Sequence, residues 1–210
     1  MTVSDVNRAL EQLDEIHTRI ARSHVYRGWR SVPVALSGIT GLVAAWLQPG
    51  MTRAAIEPRT WAGYWLGTAI VAFLIGCAHL LWRHYHETST AERRRTEEVL
   101  AQLLPALIAG AIITVALVAG FPDAASLLPG IWCACFAMGV FSARPFAPSG
   151  AVLVALYYLT AAIALLWSPG SLDARSGWLV GGVFALGQLL AAAVLYWSLE
   201  RGARAGDSHG

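Results

Sequence analysis

His79, Arg83 and His86 are spaced i, i+4 and i+7. On an α-helix this places two imidazoles and a guanidinium on one face. Such a face can hold an anion, a quinone headgroup or a haem propionate. His79 is the only ionisable group well inside an apolar run, and ionisable groups within membranes are functional suspects. A plainer role also fits: Arg83 and His86 in the headgroup layer, with His79 making one helix-to-helix hydrogen bond. A haem held in a bundle takes an axial ligand from each of two helices. His79 has no histidine partner in another apolar run, so haem ligation would need a second chain, His86 or an unusual ligand. These three residues are candidates for cofactor binding, and no cofactor is assigned.

A second set is uncharged. Gln188 is a lone amide in the last apolar run, and Tyr157, Tyr158 and Thr160 add hydroxyls in the one before it. Together they can line a polar substrate pathway, or they can make interhelical hydrogen bonds worth about 0.6 kcal/mol each. Other chemistry finds little support. Cys133 and Cys135 point about 200° apart on a helix, which suits no metal site. Ser37, Ser149 and Ser176 each precede glycine, but the last four apolar runs contain no histidine to activate a serine. No run holds paired aspartates, and none holds the carboxylate that proton-coupled transport generally uses. A non-enzymatic protein is expected.

The elements that carry these residues follow from composition. The 210 residues are 56% hydrophobic and 13% charged, with a mean hydropathy of +0.53. Soluble domains carry about 25% charged residues, so much of this surface must face lipid. Six apolar segments stand out, at about 31–47, 61–82, 99–121, 124–141, 150–167 and 177–199. Each is near the length that crosses roughly 30 Å of hydrocarbon as a helix. An isolated span must satisfy its own backbone hydrogen bonds, so the expected fold is an all-α membrane bundle of about six helices in three hairpins. The fourth segment carries the ambiguity. Pro129 suits a first helical turn, which leaves a short span, or else the helix begins near Ala124 and tolerates the proline.

Orientation follows from arginine, the sole source of the fifteen basic side chains. With both termini inside, the inner segments hold Arg8, Arg19, Arg22, Arg27, Arg30, Arg83, Arg93, Arg94, Arg95, Arg144, Arg201 and Arg204, and the outer loops only Arg53, Arg59 and Arg175. Twelve against three is a positive-inside pattern. It predicts a multi-pass protein of the plasma (inner) membrane with cytoplasmic N- and C-termini, and arginine without lysine points to a GC-rich bacterial genome. Trp29, Trp46, Trp61, Trp82, Trp167, Trp178 and Trp197 fall at segment ends, with Trp65 one turn inside, and indoles prefer the interface, while Trp132 falls nearer mid-span.

Small residues recur every fourth position at Ser37, Gly41 and Ala45, at Gly63 and Gly67, and at Gly177, Gly181 and Ala185. Such stripes allow close helix approach, either within the bundle or across a dimer. Residues 1–28 form a polar cytoplasmic segment. Within it, residues 3–24 carry an a/d stripe of Val3, Val6, Leu10, Leu13 and Ile20, suiting an amphipathic helix that lies on the membrane or engages a partner or a second copy. Residues 29–200 make the bundle, and 201–210 a disordered cytoplasmic tail. Arg93, Arg94 and Arg95 can touch lipid headgroups, but Glu92, Glu97 and Glu98 offset them, so no nucleic-acid partner is expected. The whole reads as a structural, regulatory or accessory membrane component. A small oligomeric transporter or channel is the alternative, and a haem- or quinone-binding protein centred on His79 a further one.

Overall fold

The computed structural model describes residues 31–51, 57–86, 90–170, 172 and 176–200. Side chains at 49–51, 79–86, 90–96, 99–100 and 199–200 are outside that description. The predicted amphipathic helix at 3–24 and the tail at 201–210 also lie outside the described residues.

Among the described residues six α-helices follow in chain order: α1 Ser31–Met51, α2 Pro58–His86, α3 Thr90–Gly120, α4 Leu128–Ser142, α5 Ala151–Trp167 and α6 Ser176–Leu195. A π turn, Tyr196–Glu200, extends α6. No strand occurs among the described residues. Among the described residues five stretches are long and apolar enough to cross a membrane: four lie along α1, α2, α3 and α6, and the fifth is Pro122–Ser142. Helix α5 is a shorter apolar helix of 17 residues. Much of the outer surface is branched aliphatic, with Ile39, Val43, Ile70, Leu74, Ile112, Val115, Leu153 and Ile163 exposed. In water such a surface would associate, whereas in a bilayer it is the lipid-facing side. The protein is an all-α membrane helical bundle.

The region around Pro129 combines two helix types. A 3-10 helix, Pro122–Leu127, opens on a proline, and α4 begins at Leu128 with Pro129 in its first turn. Proline is accepted there because the first-turn N–H groups have no helical partner. The α part has 15 residues, about 22 Å of rise. The 3-10 part adds six more at about 2 Å each. Helix α3 runs through Pro105 without ending. The charged stretch 83–98 is largely helical: α2 continues to His86 and α3 opens at Thr90, next to Ser89.

Each helix packs antiparallel on its chain neighbours, and α6 closes the ring against α1. The most extensive packing runs between hairpins, α1 with α6 and α4 with α5, not within them. The small-residue stripes of α1 and α6 explain the first of these. A Cβ on Gly181 would strike the Gly41 carbonyl oxygen and come within 2.7 Å of the Ala45 Cβ, and one on Gly38 would lie 2.9 Å from the Gln188 Cβ. These stripes are therefore an internal seam. On α2 the exposed Gly63 and Gly67 differ, since an added Cβ there meets nothing within 4 Å.

Candidate functional site

Two polar clusters lie inside the ring, one near each end. The proximal end is the one holding the start of α1 and the end of α6, and the distal end is opposite. The proximal cluster centres on Gln188, which is 6% exposed. The Ser37 hydroxyl donates to the Val34 carbonyl at 2.7 Å and also points at Gln188 Oε1, 3.3 Å away. Gln188 Nε2 donates to the Tyr158 hydroxyl at 3.4 Å, and that hydroxyl donates to the Phe184 carbonyl at 3.0 Å. Helices α1, α5 and α6 are thereby joined through one amide. Tyr158 reaches it because Gly187 has no side chain: a Cβ there would overlap the phenol ring.

The four residues considered as a pathway do not form one line. Gln188 and Tyr158 meet. Tyr157 instead donates to the Val183 carbonyl at 2.8 Å. Thr160 is exposed and donates back to the Tyr157 carbonyl in its own helix, also at 2.8 Å. His79, Arg83 and His86 lie on the last turns of α2, with side chains outside the described residues.

The distal cluster has four members that sequence reasoning did not bring together: Gln48, Trp61, Trp65 and Ser176. Trp65 Nε1 donates to Gln48 Oε1 at 2.8 Å, and Trp61 Nε1 donates to the Ser176 hydroxyl at 2.9 Å. Gln48 Nε2 reaches the same hydroxyl at 3.5 Å. Trp61 stacks on Trp132, whose own Nε1 donates to Thr114 at 2.8 Å. Thr114 in turn donates to the Gly110 carbonyl. Trp61 and Trp65 are 1% and 4% exposed. Both were expected to sit in the interface; both turn inward, because Gln48 and Ser176 give their N–H groups partners inside the bundle. Trp46, Trp167, Trp178 and Trp197 are exposed near helix ends, as an aromatic belt requires. One signal for the cluster was present in the sequence: an amide and a hydroxyl at facing span ends, close to indoles.

A cavity of about 580 Å3, partly open to its surroundings, is lined by all six helices, with Gln188 and Tyr158 of the proximal cluster and Trp65 of the distal one in its wall. Its wall is almost entirely apolar, with Ser37, Thr68, Tyr158 and Gln188 supplying polar groups. Cys77, Cys133 and Cys135 also line it; Cys133 belongs to the α4–α5 core, and Cys135 approaches Gly110 of α3. Among the described residues no cluster of three or more His, Cys, Asp or Glu side chains is placed to bind a metal.

Fold and site define a multi-helix membrane bundle with a partly open apolar cavity that has a neutral amide in its wall. Compared with known proteins, the chain matches no family model, no curated protein and no solved structure.

Proposed function

We propose that this is a non-enzymatic component of a bacterial plasma membrane, structural, regulatory or accessory, acting through a cytoplasmic face at its proximal end. The observation that carries this reading is how the interior polar groups are used. Ser37, Gln48, Thr114, Tyr157, Tyr158, Ser176 and Gln188 all hydrogen-bond to groups within the bundle, and most tie one helix to another. Such bonds fix shape and perform no turnover. The arginine asymmetry supports the orientation. Deleting residues 1–24 tests the partner-binding part. The truncated chain is expected to keep its helical content and lose co-purifying partners or its oligomeric state. Unchanged partners and oligomeric state would remove the main support for it. Reporter fusions at residue 210 and within 52–56 test orientation, with the cytoplasmic signal expected only from the former.

The partly open cavity among the six helices favours a second reading, a small transporter or channel. The tryptophan cluster would then be a distal gate. Proteoliposome flux that rises in Trp61→Ala would support it, and flux equal to empty liposomes in both forms would count against it.

A further inference from the structure

We propose that the central cavity binds a neutral, lipid-soluble molecule through a carbonyl group held by Gln188, and that its preferred occupant is a planar quinone with an apolar tail. The volume of about 580 Å3 lies within the range of roughly 300–1,000 Å3 typical of small-molecule sites. The described lining is uncharged throughout, which suits an uncharged ligand. A primary amide offers two N–H donors and two acceptor lone pairs. Among the described residues, Gln188 uses one donor toward Tyr158 and one acceptor position toward Ser37, both in long bonds. One N–H therefore remains for a carbonyl oxygen. Trp65, Phe73, Trp132, Phe136, Tyr158 and Phe184 line the cavity, and flat aromatic faces favour a planar head over a branched one.

The test uses the full chain in detergent and a decyl-substituted benzoquinone as probe, read by tryptophan fluorescence. Trp65 and Trp132 line the cavity, so a bound quinone quenches them. Saturable quenching at one quinone per chain is expected. Gln188→Leu should weaken the apparent affinity about tenfold, as loss of one buried hydrogen bond does. Gly76→Phe should remove the saturable part, because Gly76 lines the cavity and an added Cβ there meets nothing within 4 Å. Both variants are compared at matched circular dichroism and elution volume. Quenching that rises only linearly in the native chain overturns the proposal without recourse to either variant. So does saturable quenching that neither variant alters. A monoacylglycerol competitor separates the two carbonyl sources. Displacement only at large excess supports a quinone, whereas displacement at equal concentration assigns the site to an ester lipid and overturns the planar head.

Discussion

Trp61 of α2 and Trp132 of α4 stack with ring centroids 5.5 Å apart and planes 6° from parallel, although 71 positions separate them in the chain. Each indole also donates its N–H to a hydroxyl, Trp61 to Ser176 of α6 and Trp132 to Thr114 of α3. Four helices thus meet at one pair of rings. The pair joins the two halves of the ring at its distal end.

Removing either ring should loosen that end. Trp132→Ala is expected to cost about 3–5 kcal/mol, the range for large aromatic truncations in packed interiors. Trp61→Phe keeps much of the stacking area and loses the bond to Ser176, so about 1 kcal/mol is expected. Thermal unfolding in mild detergent, followed by circular dichroism, measures both. Equal losses would mean that the stack contributes little beyond the hydrogen bond.

Gly187 and Tyr158 give a second ordering. The phenol ring lies where a Gly187 side chain would be. Gly187→Ala must push the ring aside, and overpacking of this kind costs about 1–3 kcal/mol. Tyr158→Phe keeps the ring and loses only its hydroxyl bonds to Phe184 and Gln188. Interhelical bonds in membranes average about 0.6 kcal/mol. Gly187→Ala should therefore be the more damaging, by the same unfolding assay. A larger loss from Tyr158→Phe would show that the polar junction, not the close approach, holds α5 to α6.

The sequence was most informative where one physical requirement acts alone. A span must be long, apolar and helical, so the helices stood out from composition and length. The four-residue spacing of Ser37, Gly41 and Ala45, and of Gly177, Gly181 and Ala185, also marked close approach. It did not say that the two stripes meet each other, because spacing identifies a face and not its partner. Trp61 and Trp65 misled for a related reason. An indole near a span end satisfies its N–H at the interface or on a buried acceptor, and only the tertiary placement of Gln48 and Ser176 decides which. The cavity was not legible at all, since it arises from six helices closing into a ring.

The glycine stripes provide a matched pair of substitutions. Gly181→Val places a branched side chain against the Gly41 carbonyl and Ala45. It should separate α1 from α6 and cost about 1–3 kcal/mol or more. Gly67→Val adds the same atoms where nothing lies within 4 Å. Its effect should stay within about 1 kcal/mol, set by helix propensity alone. The contrast is read as the difference in unfolding midpoint. If Gly67→Val proved as harmful as Gly181→Val, the face carrying Gly67 would be packed against something, and a change in oligomeric state on size-exclusion chromatography would identify a second copy as its partner.

Gln48 closes the distal cluster, and its loss should be partly repaired by a second change. The side chain is buried and accepts from Trp65 Nε1 at 2.8 Å. Gln48→Leu removes the acceptor and strands a buried indole N–H, a loss of about 1–3 kcal/mol. Trp65→Phe removes the donor as well. The double variant Gln48→Leu with Trp65→Phe should thus be less destabilised than the two single losses added together, because the stranded donor is gone. The double-mutant cycle isolates this coupling. A coupling indistinguishable from zero would mean that Trp65 finds another acceptor once Gln48 is absent, and that the amide serves chiefly the Ser176 hydroxyl, which lies 3.5 Å from its nitrogen.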